Sequence, residues 1–323
     1  MKRFLSLVLF TGFFFSLAGL EAASLRMSAN TGVSSIFGNT TYDITFHEYD
    51  PYYGRIEGES ELEFDIAAAL YTVGIEMGFF DEIMVLSVNY SGTMSAYGGT
   101  LRDRDWITND SINYYYDELM GDTDSDVDSE VDIVDVNLKW YLGSAGQNKK
   151  VQFNVVAGYQ NQQWGTFEAK NIDGYYSGLL TDDGRREYLN ESFASPVLTY
   201  EVTYDMFYGG FGVDFNVFQD FMIKTQFNLG WAQAEDEDDH ILRQKFSEGE
   251  TDGVMADLKL DFLFRLSEFV DLSVFTHFKM ISTEGDQTQW TYDSYGNRTY
   301  LDTIDDEITS EQFNIGAKFN FNF

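Results

Sequence analysis

The 323-residue chain has no cysteine, only two prolines (Pro51 and Pro196) and only three histidines. Without cysteine no disulfide contributes, so backbone pairing must hold the fold together. Basic residues are also scarce, 20 Lys and Arg against 54 Asp and Glu, a net charge of −34. Such a surface repels nucleic acid and attracts cationic ligands. Part of the acidic excess serves to solvate long exposed loops. Beyond residue 20 no segment is apolar enough for a helix to span a membrane. No internal repeat recurs at a fixed period, and no linker marks a second domain.

The closing residues carry the strongest pattern. From Phe313 to Phe323 the chain reads F-N-I-G-A-K-F-N-F-N-F. Phe313, Ile315, Ala317, Phe319, Phe321 and Phe323 fall on one face of a strand and Asn314, Gly316, Lys318, Asn320 and Asn322 on the other. A greasy outer face, a polar inner face and a terminal aromatic describe a strand of a transmembrane β-barrel. The other end agrees. Lys2 and Arg3 precede an apolar run from Phe4 to Leu20 and then Glu21-Ala22-Ala23-Ser24, the layout of a secretory signal peptide. Residues 1–23 are expected to be that signal and 24–323 a single membrane domain.

Alternation predicts ten strands, near 25–46, 58–78, 83–101, 126–143, 151–170, 195–216, 221–235, 251–267, 270–285 and 309–323. Connections near 79–82, 144–150, 217–220 and 267–269 are short. Those near 47–57, 102–125, 171–194, 236–250 and 286–308 are long and rich in Asp, Asn, Gly and Tyr. Short turns on one side and long loops on the other match an outer-membrane barrel whose loops face outside the cell. Phase supports this. Val134, Val136, Leu138 and Trp140 oppose Asp135, Asn137 and Lys139, and Leu258, Leu260 and Phe262 oppose Lys259 and Asp261. A charge facing lipid at mid-depth costs roughly 2–4 kcal/mol, so the charged side becomes the lumen. Aromatics are 17% of the chain, enough for belts at both interfaces. The expected fold is all-β, a ten-stranded antiparallel transmembrane β-barrel with long extracellular loops.

Two constellations could carry chemistry. Asp236-Glu237-Asp238-Asp239-His240 follows the strand that reaches Trp231, and carrying the alternation upward gives Asp236, Asp238 and His240 one lumen phase. An Asp two residues from a His orients its ring and stabilises the imidazolium, as a general base requires. Gly98-Gly99-Thr100-Leu101-Arg102-Asp103-Arg104-Asp105-Trp106 gives Asp103 and Asp105 the same phase. Two close carboxylates can share a proton or hold a nucleophilic water. In so acidic a chain each motif also arises by chance as a solvated loop run. His277 reads as a hydrogen-bonded interior residue and His47 as a solvated loop residue. The acid run 122–128 lacks the central Gly and terminal Glu of a calcium loop.

These motifs, together with V-D-V-N-L-K-W-Y, V-V-A-G-Y-Q, G-W-A-Q-A-E-D-E-D-D-H and the closing strand, resemble the omptin family over most of the mature chain and in the same order. The resemblance implies an outer-membrane endopeptidase in which an Asp pair and an Asp–His pair face each other across the lumen mouth and activate water. Asp103 and Asp105 match the first pair, Asp238 and His240 the second. It further implies cleavage beside basic residues, often between two, with an acidic pocket for the P1 side chain. Asp236 matches one pocket acid. The other, a Glu near the top of the first strand, has Asp43 as its nearest match and needs a one-residue insertion. No cofactor is called for. Expected partners are basic peptides or proteins and the outer-membrane lipid, with no nucleic acid, and the chain is expected to be a monomer. Family members depend on lipopolysaccharide bound by exterior cations, whereas Lys139, Lys224, Lys259, Arg265, Lys279 and Lys318 here all carry lumen phase. An inactive barrel serving as adhesin or receptor is the alternative function, and a small channel a weaker third.

Overall fold

The structure, a computed structural model, describes residues 25–50, 54–109, 118–145, 150–177, 186–292 and 296–323. The segment read as a signal peptide lies outside them. The described chain is almost entirely strand: β1 (Arg26–Asp50), β2 (Gly54–Phe79), β3 (Met84–Ala96), β4 (Gly98–Asn109), β5 (Glu118–Asp128), β6 (Val131–Ala145), β7 (Val151–Ala169), β8 (Asn171–Ser177), β9 (Arg186–Ser192), β10 (Leu198–Phe218), β11 (Phe221–His240), β12 (Lys245–Arg265), β13 (Val270–Tyr292) and β14 (Arg298–Asn322). Each pairs antiparallel with its neighbours in a single sheet, and β1 pairs with both β2 and β14. The order β1-β2-β3-β6-β7-β10-β11-β12-β13-β14 thereby returns to its start, a ring of ten strands.

The remaining four strands raise the wall at one end, here called the upper end. β4 leaves β3 at Tyr97 and pairs with the upper part of β2, from Phe64↔Leu101 to Ile56↔Asn109. β5 pairs with β4 and then with β8, and β8 with β9. Much of what the sequence reading assigned to loops is therefore strand. β4 and β5 take up most of 102–125, β8 and β9 most of 171–194, and β11 continues through His240.

The reason lies in which face is apolar. In the lower two-fifths of β14, Phe313, Ile315, Phe319 and Phe321 are exposed, as expected of an apolar band. Above Phe313 the pattern inverts. Ile304 and Ile308 turn inward and are buried, while Asp305, Glu307 and Glu311 are exposed. β11 does the same: Leu229 and Trp231 face outward, and further up Glu235 and Glu237 do. A pattern search for greasy outward residues loses each strand at this inversion, although backbone pairing continues past it.

The interior follows the same division. Below lies a cavity of about 1150 Å³ whose walls include Lys139, Lys224, Lys259, Lys279, Lys318 and His277. The lysines among them face charges of opposite sign. Lys259 Nζ lies 3.3 Å from both Asp135 and Asp257. Asp135 also accepts hydrogen bonds from Tyr208 (2.8 Å), Asn137 (2.9 Å) and Gln160 (3.2 Å). Buried charge is tolerable only with such pairing. Above it the interior is apolar rather than polar. Trp164, Phe167, Phe64, Tyr200 and Tyr42 are fully buried and pack ring on ring, Phe64 to Tyr200 at 4.6 Å and to Phe167 at 5.0 Å. The upper interior is built like a soluble barrel core, and it forms the floor of the site above.

Candidate active site at the mouth of the ring

β11 carries three inward side chains at its upper end, because alternate residues of a strand share a face. Asp236 (3% exposed), Asp238 (1%) and His240 (8%) are all buried. Their strand reaches this height because β11 and β12 stay paired as far as His240↔Lys245. The chain then reverses through a 3-10 turn, Ile241–Arg243, and Gln244 in the left-handed region at φ 51°. The amide of Ile241 donates to Val197 O at 3.0 Å, tying the hairpin tip to the segment before β10. His240 Nε2 lies 3.1 Å from Asp238 Oδ2. With Nε2–H directed at Asp238, Nδ1 keeps a lone pair.

On another wall, β4 presents Asp103 and Asp105 inward at the height of Leu62 and Ser60 of β2. The intervening arginines turn outward. Arg102 Nε and Nη2 make a two-bond ion pair with Asp122, at 2.9 and 3.0 Å. Arg104 binds Glu61 and, at 3.3 Å, Glu63. The R-D-R-D spacing thus sorts charge by face, anions in and cations out. Around the ring β4 and β11 are separated by β2, β1, β14, β13 and β12 on one side and β5, β7 and β10 on the other. The two acidic pairs therefore stand on opposing walls of one mouth.

Asp43 does not join them. The register of β1 runs without a shift against both neighbours from Ser28 to Thr45, so no bulge turns Asp43 inward. Tyr42 and Ile44 take the inward positions, and Asp43 faces outward between Glu61 and Glu307 of the flanking strands. Burial and the nearby Glu307 and Glu59 push its carboxyl up to about 6.

The acid that meets Asp236 is instead Asp306 of β14, also 3% exposed. The two carboxyls converge over Gly249, where an added Cβ would strike Asp236 Oδ1 and Asp306 Oδ2. Burial, with the proximity of each to the other and to Asp238, raises Asp236 well above the carboxylate range. Burial and the charges of Asp238 and Asp43 push Asp306 up to about 7. Tyr42 and Tyr200 border the pair with rings 5.2 Å apart, and burial and the same acids drive both phenols upward. Gln287 Nε2 donates to the Tyr42 hydroxyl. Asp306, Tyr42, Tyr200 and Gln287 were not singled out from sequence. The signal for Asp306 was its place between Ile304 and Ile308, two apolar residues of the same phase.

His277 lines the lower cavity, its ring 5.0 Å from that of Phe275. His47 lies within β1, on the strand rather than in a loop.

Comparison with known proteins places this architecture. Among solved structures, the outer membrane protease OmpT from Escherichia coli superposes with a TM-score of 0.73 at 16% identity, covering 94% of this chain and 99% of that one. The outer membrane protein OprG from Pseudomonas aeruginosa gives a TM-score of 0.35 at 9% identity, covering 93% and 97%. No curated protein sequence matches the chain. The family model described as the Omptin family matches residues 52–323, most of the sequence. The chain belongs to the omptin family of outer-membrane proteases.

Proposed function

We propose that the chain is a monomeric ten-stranded transmembrane β-barrel whose mouth faces outside the cell and hydrolyses polypeptides beside basic residues, with dibasic sites preferred. The observation that carries this reading is the buried Asp238–His240 pair at 3.1 Å on the wall opposite Asp103 and Asp105. A water held between the two pairs gives a proton to Nδ1 of His240, while Asp238 accepts from Nε2–H and stabilises the imidazolium that forms. The water oxygen bonds to the peptide carbonyl carbon. The tetrahedral intermediate collapses as its C–N bond breaks, and the leaving amine takes the proton from His240 or from the Asp103–Asp105 pair. Asp236, on the same face as the base, draws in a cationic side chain from the substrate. Asp43, facing outward, has no part in the scheme.

The test is cleavage of a quenched fluorescent peptide containing Arg-Arg by the refolded protein, with and without lipopolysaccharide, beside His240→Ala. Cleavage that needs His240 establishes enzyme and base together, and the lipid comparison shows whether the family's dependence on lipopolysaccharide holds here. A folded protein that cleaves nothing under either condition sinks the protease reading and favours a binding role. Activity should fall as pH drops to about 4, because a general base must be free of its proton to take one from water. Full activity there would remove His240 as the base.

A further inference from the structure

The paired carboxyls of Asp236 and Asp306 are out of place unless something binds them. Both residues are 3% exposed. Beyond each other and the amide of Asp236 itself, their four oxygens have no hydrogen-bond partner among the described residues, and no described Lys or Arg forms an ion pair with either. Two acids buried together without a cation are held at a cost, and a native structure keeps such an arrangement where a ligand resolves it.

We propose that Asp306, on the last strand, is the second acid of the pocket that receives the guanidinium or ammonium group of the substrate's basic side chain. The assignment rests on the proposed cleavage beside basic residues and moves the pocket's second charge from the first strand to the last. Three independent features support it. The backbone makes room: Gly249, directly across from Asp236, leaves open the space where both carboxyl groups meet, and any Cβ there would strike them. An aromatic wall stands beside the acids: Tyr42 and Tyr200 pack on each other with ring centroids 5.2 Å apart and feel the charge of Asp236 and Asp306, and guanidinium groups stack on aromatic faces. The position is correct: Asp236 lies two and four residues below Asp238 and His240 on one strand face. At about 3.4 Å per residue this sets Asp236 roughly 7 Å below Asp238 and roughly 14 Å below His240 along the strand, beneath the base on the same inward face.

The same geometry explains why the first strand contributes a tyrosine rather than an acid. The inward position at the height of Leu62 and Ile308 is filled by Tyr42, and the adjacent acid, Asp43, points away from the interior. Asp306, opposite Ile44 and one layer higher, restores a second negative charge from a neighbouring strand.

The experiment separates binding from cleavage. In the His240→Ala protein, which leaves peptides intact, calorimetry measures binding of an Arg-Arg peptide and of the same peptide with citrulline, an uncharged isostere, in place of arginine. The arginine peptide should bind tighter by roughly 30-fold or more, as loss of one partner from a buried charge pair entails. Asp306→Asn, nearly isosteric, should erase most of that preference, and Asp306→Glu should keep part of it. Heat-modifiable gel mobility verifies that each variant is folded. Full preference in folded Asp306→Asn overturns the assignment, as does a preference lost in Asp43→Asn but kept in Asp306→Asn. Absence of arginine-peptide binding by the folded protein overturns it too. If the unmutated protein cleaves nothing but shows the Asp306-dependent preference, the protease reading fails and the pocket stands. If it cleaves at arginine with a preference indifferent to Asp306, only the pocket fails.

Discussion

Lys259→Met is the most informative perturbation of the fold. Lys259 Nζ sits 3.3 Å from Asp135 Oδ2 and 3.3 Å from Asp257 Oδ2, and it lies 5.6 Å above the ring of Tyr208. Methionine matches the length and volume of the stem but removes the charge. Two carboxylates from different strands are then left facing each other. Asp135 keeps its bonds from Tyr208, Asn137 and Gln160, and Asp257 keeps the bond from Asn228, at 3.1 Å. Breaking a buried pair from one side costs about 3–5 kcal/mol. Side-chain exposures of 17% for Lys259, 12% for Asp135 and 3% for Asp257 put this site near the lower figure, about 3 kcal/mol. Adding Asp257→Asn to Lys259→Met should recover a good part of the loss, because the uncompensated carboxylate is removed with its partner. The assay is reversible urea unfolding of the protein refolded into bilayers, followed by tryptophan fluorescence. A loss below about 1 kcal/mol at unchanged m-value would refute the reasoning, because the triad would then behave like a screened surface ion pair.

Three further outcomes are expected. Trp164→Ala should cost about 3–5 kcal/mol in the same unfolding assay, because this fully buried ring packs on Phe167. Its indole N–H has no partner among the described residues, so Trp164→Phe should cost much less. Gly249→Ala should weaken arginine-peptide binding without abolishing folding, and calorimetry beside a heat-modifiability gel checks both. The last concerns pH. The folded-state carboxyl of Asp306 lies at about 7, above its ordinary 3.8, so its contribution to stability is complete below about pH 4 and is lost as pH rises through 7. Its neighbours Asp236, Asp238 and Asp43 are acidic too, and no described cation is paired with it. Asp306→Asn, which mimics the protonated acid, should therefore be more stable than the unmutated protein at pH 8, by on the order of 2–4 kcal/mol, and level with it at about pH 4. Unfolding midpoints at the two pH values decide this, and equal stability at pH 8 would show that the pair is not strained.

Period-two alternation made part of this structure legible. In the apolar band every strand sorts its residues between two unlike surroundings, so β14 and β12 read directly from Phe313–Phe323 and from Leu258, Lys259, Leu260 and Asp261. Carrying that phase upward from Trp231 put Asp236, Asp238 and His240 on one inward face, where they lie. It also gave Asp103 and Asp105 their inward face. What escaped was the upper wall. There the outward residues are acids, as in any hydrated loop, and the inward residues are apolar, so a reader looking for greasy outer faces sees coil. Asp306 was hidden in such a stretch. Asp43 misled for a different reason: it is the nearest acid along the chain, and only the unbroken register of β1 with two neighbours shows which way it points.

The inversion of faces near Phe313 also tells each strand how deep to sit. In a barrel with the same alternation from end to end, sliding one strand by two residues keeps every side chain on its proper side, and the mistake is nearly silent. Here the same slide in β14 would carry Glu311 down into the apolar band, or lift Phe313 among the acids above it. Each strand bears its own waterline, and neighbours agree only when those marks are level. The sequence thus encodes a vertical scale as well as a pairing order, and β11 and β14 each carry a reading of it.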